Sequence, residues 1–237
     1  MQWSYGVVTC SQRLSTLLPR TLKSLAEAGF DSPRLFVDGP GEVPSSTLEI
    51  TRRSRPVGAF GNWALAAWEL YILEPRAQRY AVFQDDLVAC RSLREYLEQA
   101  EYPANSYLNL FTFFTNEKKV KDQPKGWVKS DQLGRGAVAL VFDHQAMFSL
   151  LTSPIMSVKP QLRNGNQNID GAIQQGLVVE SKFTEYVHNP SLVQHVGKTT
   201  SIGKDSSGRL HPKYYIQDAR TFPGEQFDAL TLLEKRC

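Results

Sequence analysis

Apolar positions along the first 150 residues switch between two spacings, and the switches mark out elements. Residues 5–9 (YGVVT) form a short β-rich run. Leu14, Leu17, Leu18, Leu22, Leu25 and Ala26 then recur at helix spacing up to a stop at Gly29. Residues 34–39 (RLFVDG) predict a second strand closing on an Asp-Gly turn. After a loop rich in Pro, Gly and Ser, residues 61–73 predict a helix with Asn62 as its N-cap. A third strand, 80–84 (YAVFQ), runs into Asp85-Asp86, and 92–100 predicts a helix with Leu93, Tyr96, Leu97 and Ala100 on its apolar stripe. Strand–helix alternation of this kind predicts an α/β fold with a mainly parallel, helix-covered sheet.

The second half is less regular. Residues 107–114 (YLNLFTFF) and 137–142 (AVALVF) predict strands, and Asp143 caps a helix reaching about residue 151. A loop over 153–168 leads to a helix at 169–176, then to short strands around Val178 and Leu192. From Lys198 onward the chain is polar and rich in Gly and Ser, which predicts a tail or lid that orders on a ligand.

Composition adds boundaries. The 237 residues are 41% hydrophobic and 22% charged, enough apolar mass for one large globular domain. No apolar run is long enough to span a bilayer. Cys10, Cys90 and Cys237 are scattered, with neither a disulfide framework nor zinc spacing, so a reducing, cytoplasmic compartment is expected. The net charge of +3 is small, but its positives gather at Arg52, Arg53 and Arg55, along 118–135, and after Lys198. Such groups suit phosphates, of a nucleotide or of a nucleic-acid backbone, or merely a solvated surface.

Ligands of an open parallel sheet bind beyond the carboxyl ends of its strands, where Thr9, Asp38 and Asp85-Asp86 would converge. Adjacent carboxylates repel unless a cation or a proton offsets them. Mg²⁺ or Mn²⁺, which take oxygen ligands and bridge diphosphates, would do so. The plainer reading makes one Asp a helix cap and leaves the other solvated.

The order VVTCSQR, RPVGAFGNWALAAWEL, VFQDDL and GRGAVALVF, over residues 4–203, resembles the GT-A glycosyltransferases, which transfer sugars from nucleotide-diphosphate donors. QDD departs from that family's acidic first position, so Gln84 is not expected to be a ligand. The later PSLVQHVGKTTS is similar to the closing segment of some members, the branching N-acetylglucosaminyltransferases among them. The resemblance implies a GT-A-like, Rossmann-type mixed sheet with helices on both faces, in one domain over 1–203 followed by a tail or lid over 204–237. It implies Mn²⁺ or Mg²⁺ on Asp86 and His195, with Asp85 holding the metal-linked ribose or sugar. Thr9, Arg13, Asp38, Gly58, Phe60, Gly61 and Asn62 would line the nucleotide, and Lys198, Thr199, Thr200 and Ser201 the departing diphosphate. Asp170 would be the base of an inverting transfer, with Gly134, Arg135 and Gly136 at the sugar or acceptor. Each has a plainer alternative: a strand end for Thr9, an Asp-Gly turn for Asp38, N-caps for Asn62 and Asp170, a core histidine for His195.

The expected activity is therefore metal-dependent sugar transfer from a nucleotide-diphosphate donor, UDP-sugar by default, to a glycan or to a hydroxymethylated base in DNA. One rival is a sugar-nucleotide nucleotidyltransferase, against which stands the absence of glycine from TCSQRLST. The other is a nucleic-acid-binding module, against which stand the small charge excess and the lack of a binding motif.

Overall fold

The computed structural model describes residues 1–41, 47–157, 168–197 and 218–233. Lys198, Thr199, Thr200 and Ser201 lie outside them. The strands are β1 (Trp3–Cys10), β2 (Arg34–Asp38), β3 (Ile50–Arg52), β4 (Arg79–Gln84), β5 (Leu87–Ala89), β6 (Ser106–Asn109), β7 (Gly126–Lys129), β8 (Ala139–Asp143), β9 (Thr184–Asn189) and β10 (Val193–His195). The helices are α1 (Leu18–Glu27), α2 (Gly58–Leu73), α3 (Leu93–Gln99), α4 (Phe114–Val120), α5 (His144–Thr152), α6 (Pro154–Ser157) and α7 (Ile169–Ile173).

Eight strands form one sheet in the order β3-β2-β1-β4-β8-β6-β9-β7, while β5 and β10 form a separate two-stranded ribbon. The sheet is mixed, as the resemblance implied, rather than mainly parallel as the strand–helix alternation alone suggested. β3, β2, β1 and β4 run parallel, but β8 enters antiparallel between β4 and β6, and β7 pairs antiparallel with β9.

Strand alternation divides the core. Val7, Leu35, Val37, Ala81, Phe83, Ala139 and Val141 pack on one face with Leu18 and Leu25 of α1 and Leu93 and Leu97 of α3. Val8, Phe36, Tyr80, Val82, Leu140 and Phe142 face the other way, onto α2, α5 and α7. Residues 218–233 fasten to the α1–α3 face, where Ala219 and Ala229 are buried and Arg91 exchanges backbone hydrogen bonds with Phe227 and Ala229.

Several predicted boundaries shift for physical reasons. Helix α2 begins at Gly58, and Asn62 is not its cap. Its first-turn amides, Val57 and Gly58, donate to the two carboxylate oxygens of Asp38 at 2.7 and 3.0 Å, so a side chain from the end of β2 caps it. The predicted strand at 107–114 ends at Asn109, and its aromatic end leads into α4. Val178 lies in a π-helical continuation of α7, Gln174–Glu180, and the strand follows at β9. Asp143 does cap α5, accepting from the Ala146 amide at 2.7 Å.

Candidate functional site

The parallel register brings the carboxylates together. Cys10 lies opposite Asp38 and Val8 opposite Gln84, so Thr9 and Asp85 project side by side toward α1. Thr9 donates its hydroxyl to Asp85 Oδ2 at 2.5 Å. Asp85-Asp86 form the turn between β4 and β5, and both are buried. Thr21, buried in α1, locks that turn: its hydroxyl lies 2.8 Å from the Asp85 carbonyl and 2.9 Å from that of Leu87, and it accepts from the Leu87 amide. Nothing in the local sequence marks Thr21, a single hydroxyl that shares the buried face of α1 with Ser24, Leu18 and Leu25.

The ribbon delivers His195. Its pairing places His195 opposite Leu87, and the Val196 amide donates to the Asp86 carbonyl at 2.8 Å. His195 Nε2 then lies 3.1 Å from Asp86 Oδ2, across 109 residues of chain. Arg13, from the short turn after β1, joins the cluster. Its Nη1 donates to Asp85 Oδ1 at 2.7 Å and to Asp86 Oδ2 at 2.6 Å. Burial drives the Asp85 carboxyl above its usual range, with Arg13 opposing and the Asp86 charge reinforcing it. Burial acts on Asp86 too, but the His195 hydrogen bond and the Arg13 charge bring its carboxyl below the usual range.

Asp86 Oδ1 is buried with no hydrogen-bond partner among the described residues. A buried carboxylate with one oxygen unpartnered and the other 3.1 Å from a histidine nitrogen fits a divalent cation, because burial without a partner is costly. Gly197 closes the cradle: a Cβ there would stand 2.9 Å from Asp86 Oδ2 and 3.1 Å from His195 Nε2. No group of three or more His, Cys, Asp or Glu able to hold a metal occurs among the described residues. A cation here would therefore complete its shell with water and substrate oxygens, as Mg²⁺-type ions commonly do.

A second constellation adjoins the first. Gln84 does not join the carboxylates; its Nε2 donates to the Ala137 carbonyl at 2.7 Å. The amides of Gly136 and Ala137 donate to the two carboxylate oxygens of Asp170, each at 3.1 Å. Asp170 is thus no helix cap. Asn168 caps α7, accepting from the Gly171 amide at 2.7 Å. Burial raises the Asp170 carboxyl, opposed by these two amides and by nearby Arg135. Gly136 needs its lack of a side chain, since its φ is +77° and a Cβ would stand 2.7 Å from the Phe111 ring.

Gly58 has φ +80° and open space where a side chain would lie, while Gly61 stands against Val57. Phe60 is buried in the α2 core. The Asn62 amide donates to the carbonyls of Phe36 at 2.8 Å and Thr9 at 3.3 Å and accepts from Arg53 Nε, so it braces the ends of β1 and β2 from behind. Arg53 is drawn inward onto Glu69, whereas Arg52 and Arg55 are exposed. Lys118, Lys119, Lys121, Lys125 and Lys129 are exposed as well. No helix among the described residues is long and apolar enough to cross a membrane.

No protein-family model matches the sequence, and no curated protein matches it either. Solved structures do match in fold. The crystal structure of GalNAc-T7 with UDP, GalNAc and Mn²⁺ aligns with a TM-score of 0.61 at 10% identity, over 87% of this chain and 46% of that one. This chain thus spans under half the length of that protein. A nucleotidyl transferase from Methanothermobacter thermautotroptrophicus aligns with a TM-score of 0.50 at 14% identity, over 79% of this chain and 86% of that one. At such identities the likeness is one of fold, and the fold is the GT-A-like α/β arrangement: a mixed sheet with helices on both faces.

Proposed function

We propose that the protein is a metal-dependent glycosyltransferase, moving a sugar from a nucleotide-diphosphate donor, UDP-sugar by default, to an acceptor hydroxyl with inversion. The observation that carries this reading is the buried Asp85–Asp86–His195 cluster at the strand ends, with Asp86 Oδ1 unpartnered among the described residues. Asp86 and His195 would hold Mn²⁺ or Mg²⁺, His195 favouring Mn²⁺, and a bound ion would supply Lewis-acid stabilisation of the leaving diphosphate. Asp85, fixed by Thr9, faces the ribose or sugar.

Asp170 acts as the base, its orientation set by the Gly136 and Ala137 amides. It takes the acceptor's hydroxyl proton while the acceptor oxygen bonds to the anomeric carbon. The bond from that carbon to the diphosphate breaks on the opposite face, and the nucleoside diphosphate leaves with the electron pair. Arg135 and Gly136 border the sugar or acceptor, and Lys198 and Ser201 belong to the diphosphate side. Asp38, Gly58, Phe60, Gly61 and Asn62 shape the nucleotide end, Asn62 acting through the β1 and β2 carbonyls. A nucleotidyltransferase reaction is the weaker reading, because the turn after β1 (CSQRLSTL) carries no glycine to wrap a triphosphate.

The test is hydrolysis and transfer across a panel of nucleotide sugars, with Mn²⁺ and with EDTA. Asp86→Ala is expected to abolish both, whereas Asp170→Asn keeps donor binding and loses transfer. Turnover that ignores EDTA would overturn the metal assignment, and near-full transfer by Asp170→Asn would remove Asp170 as base. The acceptor is a glycan or a hydroxymethylated base in DNA. The exposed lysines at 118–129 favour DNA to the extent that acceptor binding falls steeply with salt.

A further inference from the structure

We propose that Arg13 is the resident counter-ion of the Asp85–Asp86 pair, and that it exchanges places with the divalent cation when the donor's diphosphate arrives. The inference rests on the metal-dependent reading above and adds a specific step to it.

The geometry is that of a cation site already holding a cation. One guanidinium nitrogen sits between two carboxylates, 2.7 Å from Asp85 Oδ1 and 2.6 Å from Asp86 Oδ2. The carboxylate side chains are 4% and 3% exposed, so their repulsion is poorly screened by water. Arg13 supplies one positive charge against two negative ones. The oxygen it does not reach, Asp86 Oδ1, has no partner among the described residues. The oxygen it does reach, Asp86 Oδ2, is the one shared with His195 Nε2.

A divalent ion bound by Asp86 and His195 would contact the same edge of Asp86. Guanidinium and ion together would then bring three positive charges against two negative ones in a buried space, a like-charge contact that disfavours both. In the protein without nucleotide, Arg13 and the metal therefore compete. A diphosphate reverses the sign, because its oxygens give the guanidinium a planar, bidentate partner and give the ion further ligands. Arg13 leaves Asp86 for the phosphate as the ion enters. At 16% exposure, and on the short turn after β1, the Arg13 side chain is the member of this charged trio that reaches solvent. Metal and diphosphate then raise each other's affinity through one side chain, which is reciprocal coupling with a named carrier.

The experiment is Mn²⁺ titration followed by electron paramagnetic resonance on the intact protein without nucleotide, repeated with UDP as probe. Arg13→Met is expected to bind Mn²⁺ about 10-fold more tightly than wild type without nucleotide, and to lose most of the gain that UDP gives wild type. Arg13→Lys, which keeps the charge on a shorter side chain and so holds it farther from the carboxylates than the 2.6–2.7 Å of the guanidinium nitrogen, is expected in between. It decides the matter if Arg13→Met fails to fold. Mn²⁺ affinity without nucleotide that is unchanged or weakened in the folded variants overturns the exchange, while leaving the metal-dependent reading intact if wild type binds Mn²⁺ with UDP. Absence of Mn²⁺ binding by wild type even with UDP overturns both.

Discussion

Strand β9 carries two buried titratable groups of opposite type, and their titrations should cancel in the wild type and separate in a variant. Glu185 accepts from Asn109 Nδ2 at 3.0 Å, from the Ser130 hydroxyl and from the Gly134 amide, yet burial pushes its carboxyl up to about 7, helped by the Asp131 charge. His188 lies on the opposite face, its Nε2 2.6 Å from the Tyr96 hydroxyl and its Nδ1 2.7 Å from the Pro190 carbonyl, a contact that favours the charged form. Burial brings it down to about 4. For Glu185 the folded state keeps a proton that the unfolded chain, near 4.5, has lost. Stability therefore falls as pH rises from 4.5 to about 7, by roughly 3 kcal/mol at about 1.4 kcal/mol per pH unit. For His188 the unfolded chain, near 6.5, binds a proton that the folded state refuses, so stability rises by a similar amount from about pH 4 to 6.5.

Between about pH 5 and 6.5 the two slopes oppose each other, and this pair should leave almost no net pH dependence in the wild-type unfolding free energy. Glu185→Gln removes one slope and leaves the other. Urea unfolding across that window should show the variant gaining stability relative to wild type by about 1.4 kcal/mol per pH unit, whatever its constant offset. His188→Gln should show the mirror image. Parallel profiles for wild type and Glu185→Gln would refute the claim that Glu185 is protonated in the folded protein.

Two other outcomes follow from contacts already described. Thr21→Val keeps the shape of the buried side chain but strips the hydroxyl from the Asp85–Leu87 turn, and should cost about 1–3 kcal/mol in a urea melt. If Thr21→Val is neutral, the turn does not depend on α1. Gly197→Ala sets a methyl against Asp86 Oδ2 and the His195 ring, and should weaken Mn²⁺ binding roughly 10-fold with little change in Tm. Unaltered Mn²⁺ affinity would mean that the cation does not sit between those two side chains.

Much of the central sheet was legible because β1, β2, β4 and β8 are largely unbroken buried runs bounded by polar or glycine signals. The carboxylate pair stood out for the same reason, as charge at the end of an apolar run. What the pattern hid was nonlocal or short. β3, β5 and β10 have three residues each, too few for a period, and β7 is a half-exposed edge. The aromatic run at 107–114 suited a strand and the lead-in to a helix equally, and only packing decided that α4 starts at Phe114. The antiparallel entry of β8 cannot be read from local spacing, since a continuous apolar strand looks the same in either direction. The cap of α2 eluded the sequence because Asp38 lies twenty residues upstream of Gly58. Arg13 was expected at the nucleotide, and its place across both carboxylates depends on a register between strands far apart in the chain.

The ribbon of β5 and β10 has a mechanical consequence. Asp86 and His195 stand 109 positions apart, and the span between them includes β6, β7, β8, β9 and helices α3 to α7. An ion clasping both residues closes that span as a single noncovalent loop, and loops of this length carry a large closure entropy in the unfolded state. The same contact that readies the diphosphate site therefore acts as a topological staple. Metal loading should slow amide exchange across the whole enclosed span, well beyond the residues that touch the ion.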